Sequence, residues 1–380
     1  MRVQHLINGR IVLADRVITG AVTLHDDQIV AIDDGASTAT DAIDLDGDYL
    51  IPGLVELHTD NLEKHVTPRP GARWPALAAV VGHDAQIAAA GITTVLDALA
   101  IGESSTGGDR LDTLHSMVDS VVEARRLGML RADHLLHLRC EISHASCLGL
   151  FRSFLGNPLV RMVSIMDHTP GQRQFTKIEK YREYYQKKYA FSDEQFDAFV
   201  ELQLGNRAQY GDENRRVIVD LAHAEKLTLA SHDDATDAHV EEAIADGMVI
   251  AEFPTTLDAA RRSRTHGMAI LMGAPNVVRG GSHSGNISAV DLAEAGLLDI
   301  LSSDYVPGAL LHGAFILAQS SVGIDLAQAI ATVTSTPARS VGLTDRGRIE
   351  PGLKADLVRV EVVGDLPLVR SVWRSSERVI

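Results

Sequence analysis

Cysteine is nearly absent: Cys140 and Cys147 are the only two in 380 residues. Two thiols seven positions apart supply neither a disulfide framework nor zinc-finger spacing, and they fit a reducing compartment. Long apolar runs are missing too, since no stretch approaches the roughly 20 residues needed to span a bilayer. The N-terminus has no basic segment followed by an apolar one, so the expectation is a cytoplasmic chain without a secretory signal. A positive charge balance is also lacking. The net charge of -16 argues against nucleic acid or an anionic membrane as partner. There is no internal repeat and no low-complexity tract.

What is present is enough apolar content, 45%, to fill a large core. A chain of this length suits a single barrel of about 250 residues with a smaller unit attached. Short strand-like runs alternate with amphipathic or alanine-rich stretches. The strand candidates are 50–58, 91–98, 134–141, 162–168, 227–232, 249–255, 270–278 and 299–304. Eight such units predict an α/β chain folded as a TIM-type (β/α)8 barrel over 50–345. Residues 1–49 and 346–380 read instead as short hairpin strands with polar turns, predicting a small β-sandwich made from the two chain ends. The segment 171–216 is too long for a plain barrel loop and is expected to form an inserted lid.

The run Leu50 to Asp60 ends with His58 and Asp60 two positions apart. In an extended segment such residues share a face, so both can reach one metal ion. Further ligand types recur at the carboxyl ends of predicted strands, where barrel enzymes place their chemistry: Glu141, His168, His232 and Asp304. Each alone would read as a hydrogen-bonded barrel residue. Six of them at the same end of the strands supply imidazoles and carboxylates for two divalent ions, zinc, manganese or similar, with Glu141 able to bridge. His144, three residues beyond Glu141, is a further candidate ligand.

Charge clusters locally against the global sign. Between Gly171 and Lys188 stand Arg173, Lys177, Lys180, Arg182, Lys187 and Lys188, opposed by Glu179 and Glu183, with Tyr181, Tyr184, Tyr185 and Tyr189 in or beside them. A solvated helical face would read the same on charge alone. The glycine-rich run Arg279 to Asn286 follows a predicted strand and suits a loop that lays backbone N–H groups against phosphate oxygens.

With its paired ligand motif on the first strand, Asp304 at the end of the eighth, and the closing run Ile349 to Val358, the chain resembles the amidohydrolase superfamily. Within it, the segments Gly53 to His65, Met166 to Phe175, Ala230 to Thr236, Ala251 to Thr256 and Val278 to Asn286 are similar to the diphosphatases of the carbon–phosphorus lyase pathway. The resemblance implies metal-dependent removal of pyrophosphate from a small ribose triphosphate bearing a methylphosphonate at its anomeric carbon. It also implies that Asn61, His65, Arg69, Arg173, Arg279 and His283 meet the substrate. Asp304 is the expected base, orienting and deprotonating a water activated at the metal centre.

The chain departs from the wider superfamily in two ligands. Asp60 replaces the second histidine of the usual His-x-His, and Glu141 takes the place of a carboxylated lysine, which shifts preference toward harder divalent metals. The strand count also puts His168 and His232 on the fourth and fifth strands, where the superfamily usually has them on the fifth and sixth. Two other functions compete: a hydantoinase- or deaminase-like hydrolase of cyclic amides or amidines, and a non-catalytic subunit of a phosphonate complex. The basic segment and the phosphate-type loop speak against the first, and the full set of ligand types against the second. A homo-oligomer is compatible with everything in the sequence.

Overall fold

The computed structural model describes residues 3–69, 71–102, 109–175, 178–282 and 285–380. Eight parallel strands form one hydrogen-bonded sheet in sequence order: β1 Leu54–Thr59, β2 Ile92–Ile101, β3 Asp133–Glu141, β4 Val160–Met166, β5 Thr228–His232, β6 Ile250–Glu252, β7 Ala269–Gly273 and β8 Ile300–Ser302. Helices separate the strands, and the sheet is the nearly closed (β/α)8 barrel that the alternating pattern predicts. Strands such as β1 and β2 are buried at every position, as expected where a parallel sheet is covered on both faces. Internal packing divides the chain into two compact units.

The first unit contains Met1–Asp97, Met117–Leu135 and Met272–Ile380. Its outer part is an eight-stranded sheet that joins the two chain ends: Val3–Val12, Val17–His25 and Gln28–Asp34 on one side of Tyr49–Pro52, Leu357–Val363 and Leu366–Arg374 on the other. Alternate residues of these strands bury one apolar face around Leu6, Ile11, Leu24, Ile29, Leu50 and Trp373. The expected strand 50–58 is in fact two strands in two sheets. Val358 pairs with Ile51 in the outer sheet, whereas Leu54 pairs with Ile92 in the barrel. The switch falls at Pro52-Gly53, where the backbone passes so close to Thr93 that a Cβ on Gly53 would lie 2.2 Å from its hydroxyl oxygen.

The expected strand 270–278 is also shorter. It ends at Gly273, and Pro275 in the first turn starts a helix over Ala274–Arg279. The first and last barrel strands meet inside this unit. A parallel bridge joins Thr59 to Asp304, the Asp304 N–H donates to the His58 carbonyl at 3.1 Å, and the Asp60 N–H donates to the Asp304 carbonyl at 3.2 Å.

The second unit contains Ala98–Ser116 and Leu136–Leu271. The continuous register Cys140 with Ile165, Leu229 with Val163 and Ser231 with Ala251 brings the ends of β3, β4, β5 and β6 level. The segment expected as an insertion is helical. It runs through a 3-10 turn at Arg173–Phe175, α1 Ile178–Tyr189 and α2 Asp193–Asn206, then a π-helical turn at Arg207–Gly211 that leads into α3 Asp212–Ala224. Ser192 and Gln195 form a capping box at the start of α2. Phe175, Tyr181, Tyr185, Phe196 and Phe199 give the insertion a small aromatic core of its own.

Candidate metal centre

The strands that carry predicted ligands end within two residues of their expected ends, and His168 follows the fourth strand while His232 closes the fifth. In the second unit β3 delivers Glu141, 2% exposed, whose two carboxylate oxygens are both engaged. Oε2 lies 2.6 Å from His168 Nδ1, and Oε1 accepts from the Ser143 hydroxyl at 2.8 Å and the His168 N–H at 3.2 Å. Burial acts to raise the Glu141 pKa, but the His168 ring and these hydrogen bonds outweigh it and hold the carboxyl below its ordinary value. His168 itself is pushed up to about 10: burial opposes its charge, and the Glu141 and Asp233 carboxylates overcome that.

Asp233 is a residue the sequence reading passed over. Its backbone is left-handed, with φ of 57°, which turns the carboxylate back between two rings. Oδ2 stands 3.6 Å from His168 Nε2 and 3.5 Å from His232 Nε2. Burial alone would raise its pKa, yet His232, His168 and Arg139 together lower it. The ligand-type atoms of His168, His232 and Asp233 lie within 4.8 Å of one another, close enough for one ion. Behind them, His232 Nδ1 is 3.2 Å from Glu252 on β6, a carboxylate that orients the ring, as metal-binding imidazoles usually require. Burial lowers the pKa of His232 and so favours the neutral form that a ligand must have.

In the first unit β1 carries Glu56 and His58 with Asp304 hydrogen-bonded alongside, whereas Asp60 follows the strand with a non-extended backbone, φ -93° and ψ 14°, so the expected shared face of a continuous strand does not reach it. Glu56 was also missed. Fully buried, it accepts from the His58 N–H at 2.6 Å and from the Ser303 N–H, tying both ligand-bearing turns together. Burial pushes its carboxyl up to about 7 in spite of those bonds. Asp304, like Asp233, has a left-handed backbone, φ 54°. Asp60 Oδ1 is buried and accepts no hydrogen bond; its nearest cation is Lys64 Nζ at 3.8 Å. A buried carboxylate oxygen with open coordination, and two imidazoles flanked by carboxylates, fit divalent cations.

The predicted substrate residues fare unevenly. Arg173 is not a free cation: it is 3% exposed, with its guanidinium bound to Asp234, to Glu242 at 3.0 Å and to the His232 carbonyl at 3.3 Å. It thereby clamps the backbone of a predicted ligand. Lys180, Arg182 and Lys188 behave as a solvated face. Lys180 pairs with Glu183, and Arg182 pairs with Asp193 and Asp197, while Lys188 lies over three tyrosine rings. Lys177 and His283 lie outside the described residues.

Asn61 is 4% exposed, and its amide group donates to Gln86 at 2.9 Å and meets His83 Nδ1 at 3.0 Å. His65 Nε2 contacts the same Gln86 oxygen at 3.0 Å. Arg69 stands in an exposed turn closed by the Ala72 N–H. Arg279 is exposed and reaches the Tyr305 hydroxyl at 3.5 Å, and Tyr305 also takes Lys64 on its carbonyl at 2.9 Å. His144 Nδ1 accepts from the Ser146 N–H at 3.2 Å, so this ring serves its own turn.

Known proteins resemble the chain in sequence and in fold. The model of the family described as "Amidohydrolase family" matches residues 159–369, and a curated relative is 50% identical over 373 residues, 98% of this chain and 99% of its own length. The chain belongs to the amidohydrolase family. That relative is the alpha-D-ribose 1-methylphosphonate 5-triphosphate diphosphatase of Escherichia coli strain K12. Solved structures share the fold at much lower identity. N-isopropylammelide isopropylaminohydrolase from Burkholderia multivorans superposes with a TM-score of 0.65 at 18% identity, covering 100% of this chain and 98% of that one. Beta-aspartyl dipeptidase from Fervidobacterium islandicum gives 0.66 at 15% identity, covering 100% and 97%. As a member of this family the chain has the His and carboxylate clusters that could hold metal. No helix among the described residues is long and apolar enough to cross a membrane.

Proposed function

We propose that the chain hydrolyses α-D-ribose 1-methylphosphonate 5-triphosphate to the 5-phosphate and pyrophosphate. The observation that carries this reading is half identity to a diphosphatase of that name along 98% of the chain. The imidazole and carboxylate ligands at the strand ends support it chemically. Hydrolysis of a phosphoric anhydride needs a nucleophile available near neutral pH and a way to neutralise the departing pyrophosphate. Two divalent cations, zinc, manganese or similar, would be held by His58, Asp60, Glu141, His168, His232 and Asp304. When bound, such ions lower the pKa of water and offset phosphate charge.

The chain's own residues do the rest. Asp304 takes the proton of the attacking water, its left-handed backbone held by hydrogen bonds to His58 of β1 and to Asp60. Arg173 keeps the backbone at His232 from shifting as substrate charge arrives. The small substrate and the acidic surface make nucleic acid and membranes unneeded partners. The domain division that accompanies this reading is a barrel over 50–345 and a small β-rich unit from 1–49 and 346–380.

Product analysis tests the proposal. Metal-loaded enzyme given the ribose triphosphate should release pyrophosphate without orthophosphate, and chelation should stop it. Release of orthophosphate alone, or turnover of a hydantoin in preference to the triphosphate, would sink the assignment.

A further inference from the structure

Buried and half-buried arginines of the second unit are commonly matched by acids. Arg173 holds Asp234 and Glu242, Arg207 holds Asp167 and Asp212, and Arg215 holds Glu242 and Asp246. Arg139 is different. Among the described residues no hydrogen bond or ion pair reaches its guanidinium, and its Nε is fully shielded from solvent with no partner. Nothing in the residue's place on the strand excuses this. Residues 137, 139 and 141 of β3 share one face, and His137 on that face meets Ser164 of β4 and comes within 3.9 Å of Glu252 of β6, so Arg139 projects into the barrel between His137 and the ligand Glu141. Its positive charge also bears on His232 at the end of β5 and on the adjoining Asp233.

An Nε shielded from solvent without an acceptor is costly unless a ligand completes it, and the half-buried side chain leaves its terminal nitrogens open to one. Carboxylates stand near, but all the close ones face imidazoles: Glu141 faces His168, Asp233 faces His168 and His232, and Glu252 faces His232 and His137. The planar fork of arginine matches two oxygens of one phosphoryl group. We propose that Arg139 is a substrate-binding residue that takes an anionic phosphoryl oxygen pair of the polyphosphate, the role that Arg173 cannot fill. Nε donates to one oxygen and a terminal nitrogen to another, so that the phosphoryl group lies against the His232–Asp233 edge of the site. This inference rests on the triphosphate reading of the site.

Binding of inorganic pyrophosphate and tripolyphosphate to the metal-loaded full-length enzyme, measured by titration calorimetry, tests it in wild type, Arg139→Gln and Arg139→Lys. Metal content is determined on the same samples. Arg139→Gln should keep the wild-type metal content and bind both anions at least tenfold more weakly, with kcat/KM for the triphosphate falling in parallel. Arg139→Lys, which keeps the charge but loses the fork, should fall between. Wild-type anion affinity in metal-replete Arg139→Gln would overturn the assignment. So would loss of metal or of the fold in both variants, which would make Arg139 a structural counter-charge to Asp233. A wild-type enzyme that fails to release pyrophosphate from the ribose triphosphate would instead overturn the reaction on which the proposal rests, an outcome read from the wild type alone.

Discussion

At the scale of single residues, the arrangement separates groups that perform chemistry from groups that hold them. Asp304 belongs with the first. Replacing it by Asn keeps its size and one coordinating oxygen while removing the base, so kcat should fall by about 10²–10⁴ with the fold intact. Metal content must be followed in the same sample, and a fully loaded Asp304→Asn enzyme within about threefold of wild type would assign the proton to another group. Arg173 belongs with the second. It and Asp234 are almost wholly buried, at 3% and 1% side-chain exposure, so Arg173→Ala strands a carboxylate in the interior. Unfolding in urea should show a loss of about 3–5 kcal/mol. Unchanged stability with a collapsed kcat/KM would return Arg173 to the substrate.

Among the elements, the insertion after β4 is a helical hairpin bound by aromatic packing and joined to the site by arginines. Tyr181 is fully buried and its ring lies 5.0 Å from that of Phe175, which in turn lies 6.3 Å from the His168 ring, so the aromatic core of the insertion reaches a predicted ligand. The π-helical turn at Arg207–Gly211 is its second connection. There Arg207 Nε reaches Asp167, next to His168, at 2.6 Å, and its side chain crosses the space a Cβ on Gly211 would need, 2.2 Å from Nη1. Alanine is ordinarily better than glycine in a helix by roughly 0.5–1 kcal/mol. Here Gly211→Ala should destabilise by about 1–3 kcal/mol in the presence of Arg207 and turn neutral or stabilising in an Arg207→Ala background. A double-mutant cycle with no coupling would show that the two residues do not interfere.

Considered as a whole molecule, the chain stakes much of its stability on buried charge in its first unit. Asp97 accepts from His83 Nε2 at 2.7 Å and lies 2.8 Å from His134 Nδ1, while Asp84 approaches the other His134 nitrogen at 3.4 Å and takes Arg131 at 3.1 Å. Burial opposes a charge on His134, but Asp97 and Asp84 raise its pKa to about 9; His83, with one carboxylate contact and neighbouring rings, is lowered, chiefly by burial. A raised folded pKa means that the stabilisation from His134 is complete below its unfolded value near 6.5 and is lost as pH rises through about 9. Wild type should therefore lose on the order of 3 kcal/mol across that interval from this group. His134→Gln should remove the slope, with the two proteins converging in stability above pH 9; a parallel decline in both would place the titration elsewhere. The His83 contribution has the opposite sign and belongs to pH below about 6.5, so the two windows do not overlap.

Strand count, barrel class and the outer sheet built from both chain ends were legible in the sequence, because a parallel strand advertises itself locally through an apolar run closed by turn residues. The strand-end positions of the candidate ligands were legible for the same reason: barrel topology sends every such end to one rim. Two boundaries were not. The break at Pro52-Gly53 depends on the Thr93 side chain from another strand, and the early end of β7 on a proline that starts a helix rather than interrupting a strand. The roles of the arginines were decided only by tertiary structure. Arg173 and Arg139 look equally free along the chain; what distinguishes them is whether a carboxylate from a distant segment stands opposite, as Asp234 and Glu242 do for Arg173. Asp233 and Glu56 escaped notice for a related reason. A carboxylate beside a histidine in sequence points to the opposite face of an ideal strand, and only the left-handed turn at Asp233 returns it to the ring, while Glu56 acts through backbone N–H groups that the sequence does not display.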